Sequence, residues 1–194
     1  MKKKEKDAVS RLKKSDKKRQ KSNVIWVSQI TLMALVISFT FSFGSETILP
    51  NVNVIIGIIL VIVFILIGIL FDMVGVAVTA ASEKPFHSMN AQKIRGAAVA
   101  IKLKNKADKV SSFCNDVIGD ICGIISGSAG VIVAKSVAAS SQSDLFLTTL
   151  TITAVIAAMT IGGKALGKSV AMNKSNTILY EFSKILSFFY KGKK

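Results

Sequence analysis

Four long apolar stretches restrict this chain more than any other feature of its sequence. They cover residues 24–43, 54–81, 113–134 and 145–163. About 20 apolar residues are enough for an untilted helix to cross the hydrocarbon core of a bilayer. A backbone in lipid must satisfy its hydrogen bonds within each segment, which a helix does. The sequence therefore predicts an all-α membrane protein with four transmembrane helices.

Basic residues are concentrated outside the four apolar stretches. Residues 1–23 hold eleven Lys and Arg against three acids, the 82–112 loop holds seven against two, and the chain from Lys164 onward holds seven against one. The connections 44–53 and 135–144 carry almost no net charge. Because basic loops stay on the cytosolic side, this pattern places both termini and the 82–112 loop in the cytosol. We expect a multi-pass protein of the plasma membrane.

The net charge of +15 has two explanations. A surplus of this size is typical of nucleic-acid binding, yet half of the residues are hydrophobic and four apolar spans are present. Anionic lipid headgroups and membrane topology explain the charge better. The polybasic tail, residues 1–23, is then a cytosolic tether to anionic lipid, with RNA contact as a minor alternative. We expect no nucleic-acid partner.

Three carboxylates lie inside the predicted spans, at Asp72, Asp116 and Asp120. The same spans contain no Lys or Arg that would neutralise them. An ionisable group in a span is costly unless it is paired, so it marks a functional site, and unpaired acids suit a cation. For Asp116 the alternative is an interfacial side chain that reaches water. Gly75 tolerates a helix break, whose freed carbonyl groups would join the site.

Gly119, Gly123 and Gly127 are spaced four apart on the third span, and Asn115 continues the same stripe. Residues at this spacing share one face of a helix. Small residues there allow two helix backbones to approach closely. The stripe predicts a seam between helices, either within the subunit or across a homodimer.

Residues 174–190 carry apolar side chains at helical spacing, with charged residues between them. The apolar positions are Ile178, Leu179, Phe182, Ile185, Leu186 and Phe189. This pattern predicts a juxtamembrane amphipathic helix, with a basic tail that completes the region 174–194. A short fifth span is the alternative, which the charges of Glu181 and Lys184 disfavour.

Four motifs follow one another between residues 54 and 190. They are FDMVGVAVTAA at 71–81, the connecting segment 93–112, IGD with the small residues after it at 118–127, and GKALGKSVA at 163–171. In order and spacing they resemble the transmembrane domain of the CorB/CorC and cyclin-M magnesium transporters. That family carries an Ile-Gly-Asn motif in its second helix and closes its third helix with Gly-Glu-x-x-Pro-Lys-Ser-x-Ala.

The resemblance implies a dimeric three-helix membrane domain at 54–173. Here an extra transmembrane helix and an outer loop, 24–53, precede it. A cytosolic juxtamembrane helix follows the family's domain, which agrees with the amphipathic region at 174–194. The nucleotide-binding regulatory domains that usually accompany the family's membrane domain do not occur in this sequence.

The resemblance also implies a Mg²⁺ site made by a Ser of the first helix, Asn and Ser groups of the second, and the closing Glu. Asp72, Asp120 and Lys164 stand at the positions of the Ser, the Asn and the Glu, and Gly75 replaces a signature Glu. Lys164 either extends outward to the interface or reaches back to the site. The candidate ligands are Asp72, Asn115, Asp120, Ser112 and Asp116, with Lys164 and Gly75 as modulating residues.

Two functions remain open. The first is an integral membrane transport protein for magnesium or another divalent cation, similar to the CorB/CorC membrane domain. The second is a non-transporting interaction or regulatory protein, in which the Lys164 ammonium takes the place of the ion. We expect no enzyme, since neither a metal-hydrolase motif nor a nucleophile with a nearby base is found in the sequence.

Overall fold

The computed structural model describes residues 26–44, 47 and 53–189. Within these residues the secondary structure is helical and contains no strand. Four helices are long and apolar enough to cross a bilayer. The prediction of an all-α chain with four such helices is confirmed. The polybasic tail at 1–23 and the basic end at 190–194 lie outside the described residues.

In chain order the helices are α1 (Trp26–Gly44), α2 (Val54–Ala80), α3 (Lys84–Ala91), α4 (Ala97–Lys104), α5 (Ala107–Ser112), α6 (Asp120–Ser141), α7 (Leu145–Asn173) and α8 (Ser175–Phe189). A π-helical segment, Phe113–Gly119, joins α5 to α6. Together they make one helix of 35 residues, the third long helix, Ala107–Ser141. The chain divides into two units between Ile37 and Ser38, within α1. The second unit contains α2 to α8 and all the candidate site residues.

The third and fourth long helices extend beyond the predicted spans. The sequence predicts spans at 113–134 and 145–163, whereas both helices continue into the flanking polar sequence. The connection between the two helices is therefore shorter than predicted and consists of residues 142–144. Asp144 caps α7 by accepting a hydrogen bond of 2.7 Å from the Phe146 N–H. Helical hydrogen bonds do not require apolar side chains, so hydropathy underestimates the length of such helices.

Helices α2, α6 and α7 pack against one another along their length. The buried cluster at this contact consists of Val61, Ile65, Ala129 and Ile156. Apolar side chains also cover the outer faces of α2 and α7, where Ile59, Leu66 and Val155 are exposed. Helices that are apolar both inside and outside the bundle are typical of membrane spans. The four apolar helices are therefore compatible with a multi-pass membrane protein.

A second hydrophobic cluster lies at the end of the bundle where α2 terminates, and α3, α4 and α8 contribute to it. Its buried members are Val78, Ala81, Phe86, Ala100 and Leu179. The Lys104 ammonium donates hydrogen bonds to the carbonyl oxygens of Val78 (3.2 Å) and Thr79 (2.8 Å). A cation at this position is favourable, because the C-terminus of a helix carries partial negative charge.

Helix α8 corresponds to the predicted amphipathic helix, and it packs against α2 and α4. Leu179 and Ser183 on its inner face are fully buried, while Ile185 on the opposite face is exposed. Gly96, with φ of 91°, lets α8 approach, since an added Cβ would lie 3.1 Å from the backbone nitrogen of Lys184. One part of the predicted apolar face is thus buried against α2 and α4, and another part is exposed. Its place at a membrane surface stays a prediction.

Candidate cation site

Asp72 is a buried acid on the inner face of α2. Only 5% of its surface is exposed, and its Oδ2 has no hydrogen-bond partner. It shares the buried side of α2 with Gly68 and Gly75, and that side packs against the π-helical segment and α6. A carboxylate taken out of water without a partner is strongly unfavourable. This oxygen therefore requires a cation or a hydrogen-bond donor.

Asn115 supplies a second unpaired oxygen from the π-helical segment. Its Oδ1 is buried and has no hydrogen-bond partner. Its Nδ2 donates a long hydrogen bond of 3.5 Å to the Ser111 hydroxyl oxygen. The amide packs directly on Gly75, where an added Cβ would overlap it. Only glycine at position 75 leaves room for the amide in this position.

The residues of the two unpaired oxygens lie about one helical turn apart along α2. Asp72 lies three residues before Gly75, which is about 4.5 Å along the helix axis, and Asn115 packs on Gly75. In the part of the chain that the structure describes, Asp72 Oδ2 and Asn115 Oδ1 are the two buried side-chain polar atoms without a partner. A hard cation held between α2 and the third long helix would satisfy both.

A carboxylate oxygen from Asp72 and an amide oxygen from Asn115 suit Mg²⁺ better than a transition metal. Mg²⁺ prefers oxygen ligands, keeps several water molecules and is often held by one or two carboxylates. Across the described ranges there is no group of three or more His, Cys, Asp or Glu side chains that could hold a metal ion. One carboxylate and one amide oxygen would therefore hold a partly hydrated ion rather than a fully coordinated one.

Lys164 reaches back from α7 to Asp120. Its Nζ lies 3.4 Å from Asp120 Oδ1, with the Lys164 side chain 24% exposed and the Asp120 side chain 66% exposed. Asp120 thus lies on the outside of the described bundle, whereas Asp72 lies inside it. The structure pairs Asp120 with Lys164, and it places Asn115 on Gly75, about one turn from Asp72.

The two remaining candidate ligands are more exposed than Asp72. Asp116 is exposed, and Ser112 is half-buried. The hydroxyl that contacts Asn115 belongs to Ser111, which the sequence reasoning missed. Its spacing from Asn115 could have identified it, because residues four apart on a helix are neighbours.

The glycines of the stripe differ in their surroundings on either side of the junction between the π-helical segment and α6. Gly119 is buried, and an added Cβ there would lie 3.6 Å from Lys164 Nζ. At Gly123 and Gly127 an added Cβ would meet no heavy atom of the described chain within 4 Å. A π-helix closes i→i+5 hydrogen bonds and interrupts the 3.6-residue period, so Asn115, within the segment, does not continue the stripe of the glycines that follow it. Such segments are frequent at functional sites.

Comparisons of the chain with protein-family models, with curated proteins and with solved structures found no match.

Proposed function

We propose that this chain is an integral membrane protein that binds a divalent cation, Mg²⁺ in the first place, and moves it across the bilayer. The proposal depends on the two buried oxygens without partners, Asp72 Oδ2 and Asn115 Oδ1, between helices of membrane-spanning length. Ionisable groups inside membrane spans mark ion pathways and paired networks. Asp72 supplies the charge, Asn115 supplies a neutral oxygen, and water completes the shell of the ion.

The resemblance to the CorB/CorC and cyclin-M transporters supports the same function. Asp72 stands at a ligand position of that family's first helix, and Asn115 lies just over one turn before the position of the Asn in its Ile-Gly-Asn motif. The positive-inside pattern adds an orientation, with both termini and the 82–112 loop in the cytosol. The site then lies towards the cytosolic half of the plasma membrane. In this proposal the chain is a transport protein and not an enzyme.

Replacing Asp72 by Asn is expected to weaken Mg²⁺ binding roughly 10- to 100-fold, the range known for changes around bound metals. The substitution keeps the size of the side chain and removes the only charge at the two oxygens. Calorimetric titration of the purified protein measures the affinity. A Mg²⁺-sensitive dye enclosed in proteoliposomes measures flux, which should fall in the same variant.

Asp116→Asn is the matched control, because it removes the same charge from an exposed position on the third long helix. Its effect on affinity is expected to stay below about threefold, since exposed charges are screened. Equal losses in the two variants would place the ion elsewhere. Binding without flux would contradict transport, and a wild type that binds no Mg²⁺ would contradict the whole proposal.

A non-transporting membrane interaction protein is the second candidate, and the Lys164–Asp120 pair favours it. The ammonium stands where the resemblance implies a metal-ligating Glu, and it neutralises the aspartate at the family's Asn position. A fixed cation near a metal site repels a dication. In this candidate the internal pair replaces the ion, and the wild type binds no Mg²⁺.

The Lys164→Ala variant separates the two candidates. For a transport protein with its site at Asp72, both proteins bind Mg²⁺, and the variant binds up to about fivefold more tightly, since exposed pairs contribute at most about 1 kcal/mol. For the second candidate, calorimetry detects binding only after the ammonium is removed. Lys168→Ala, at an exposed position one turn later on α7, is the control and should leave affinity unchanged.

A homodimer formed through the third long helix is part of the proposal. Gly123 and Gly127 leave open space on its outer face, where a second copy can pack closely. Gly123→Leu is expected to weaken the dimer by about 1–3 kcal/mol, the usual cost of overpacking. Size-exclusion chromatography with light scattering measures the change. Gly162→Leu, at a similarly open position on α7, is the control, and an unchanged mass for Gly123→Leu would contradict the seam.

A further inference from the structure

An open groove of about 690 Å³ lies between α4, the beginning of α5 and α8. Val99, Leu103, Val110 and Leu186 form its apolar lining. Lys102 and Lys106 line the same groove, and both are exposed. Within the described part of the chain, no acidic side chain lines it. The groove therefore combines an apolar surface with charge of one sign.

The groove lies at the end of the bundle where the long helices leave their apolar portions. The third long helix begins at Ala107, directly after Lys106, and its 35 residues make it longer than the core of a bilayer. At 1.5 Å per residue such a helix spans roughly 50 Å, against a hydrocarbon core of about 30 Å. Its first turns, which carry Val110, precede the apolar stretch 113–134, so in a spanning helix they would lie at the level of the lipid headgroups.

We propose that this groove binds one anionic phospholipid. The phosphate lies beside Lys102 and Lys106, and an acyl chain follows the apolar lining towards Val110. Lysine ammonium groups bind phosphate as point charges, and basic pockets beside membrane helices recognise anionic headgroups. The volume falls within the range of ordinary ligand sites. A free phosphate compound would use the two lysines and leave the apolar surface empty.

The probe is dioctanoyl phosphatidylglycerol, titrated onto the full-length protein in a neutral detergent and followed by calorimetry. The Lys102→Gln/Lys106→Gln variant is expected to bind it roughly 10- to 30-fold more weakly, from the usual contribution of a basic residue near an anionic lipid. Lys102→Arg/Lys106→Arg keeps the charges and should stay within about threefold of the wild type. Dioctanoyl phosphatidylcholine, which has no net charge, should bind weakly to all three proteins.

Lys84→Gln/Lys174→Gln is the matched control, because it removes two exposed lysines outside the groove. It should change the affinity less than about twofold. An equal loss in both glutamine variants would assign binding to the diffuse basic surface and overturn the proposal. Full affinity in Lys102→Gln/Lys106→Gln, or equal binding of the two lipids, would overturn it as well. If glycerol 1-phosphate bound as tightly as phosphatidylglycerol, the ligand would be a free phosphate compound and not a lipid.

Discussion

The Gly75→Ala variant is expected to unfold about 1–3 kcal/mol more readily than the wild type, the usual cost of overpacking. A methyl group at position 75 would overlap the Asn115 amide, which must then leave its place. Without a clash, alanine would stabilise the helix by about 1 kcal/mol relative to glycine. A net loss of stability is therefore evidence of the clash. Mg²⁺ affinity should fall too, because the displaced amide no longer offers its Oδ1. Unfolding in mixed micelles and calorimetry measure the two effects.

A double-mutant cycle with Asn115→Ala isolates this contact. Gly75→Ala/Asn115→Ala removes the obstructing amide, so it should be at least as stable as Asn115→Ala alone. Its Mg²⁺ affinity should remain low, since one ligand is missing. Gly162→Ala on α7 meets open space and should be neutral or stabilising. If Gly75→Ala were as stable as Gly162→Ala and bound Mg²⁺ normally, the packing of Asn115 on α2 would be refuted.

Replacing Leu179 by Ala is expected to reduce the free energy of unfolding by about 2–5 kcal/mol, the range for large-to-small changes in a core. Leu179 is fully buried in the cluster that joins α8 to α2, α3 and α4. The substitution leaves a cavity beside Phe86 and Val78, which cannot collapse without moving a helix. Denaturant-induced unfolding in detergent, followed by helical circular dichroism, measures the loss.

Ile185→Ala is the control for this prediction, because it lies on the opposite face of α8 and is 58% exposed. Its effect is expected to be about 0.5 kcal/mol or less, as for other exposed positions. Similar losses in the two variants would mean that α8 does not pack through Leu179. Neither variant should change Mg²⁺ affinity in its folded state, since both lie outside the site.

Hydropathy along the sequence was sufficient for the four long helices, whereas the short helices α3, α4 and α5 lie in the segment 82–112 that was predicted as a loop. The apolar stretches 54–81 and 145–163 predict α2 and α7, because a segment of this length and composition has one stable form in lipid. The spacing of Leu179 and its apolar neighbours predicts α8 in the same way. An acid within an apolar span also marks Asp72 as a candidate site, but its burial between helices, unlike the exposure of Leu70 on the same helix, was decided by packing.

The arrangement of the candidate site was decided only by the tertiary structure. The direction of Asn115 depends on a π-helical segment that interrupts the α-helical period and on the space above Gly75. The long side chain of Lys164 has many directions open to it, and its approach to Asp120 depends on how α7 packs. Hydropathy and periodicity are properties of one segment, so they predict helices and their faces. Which faces meet, and which oxygens remain unpaired between them, is set by the packing of several segments at once.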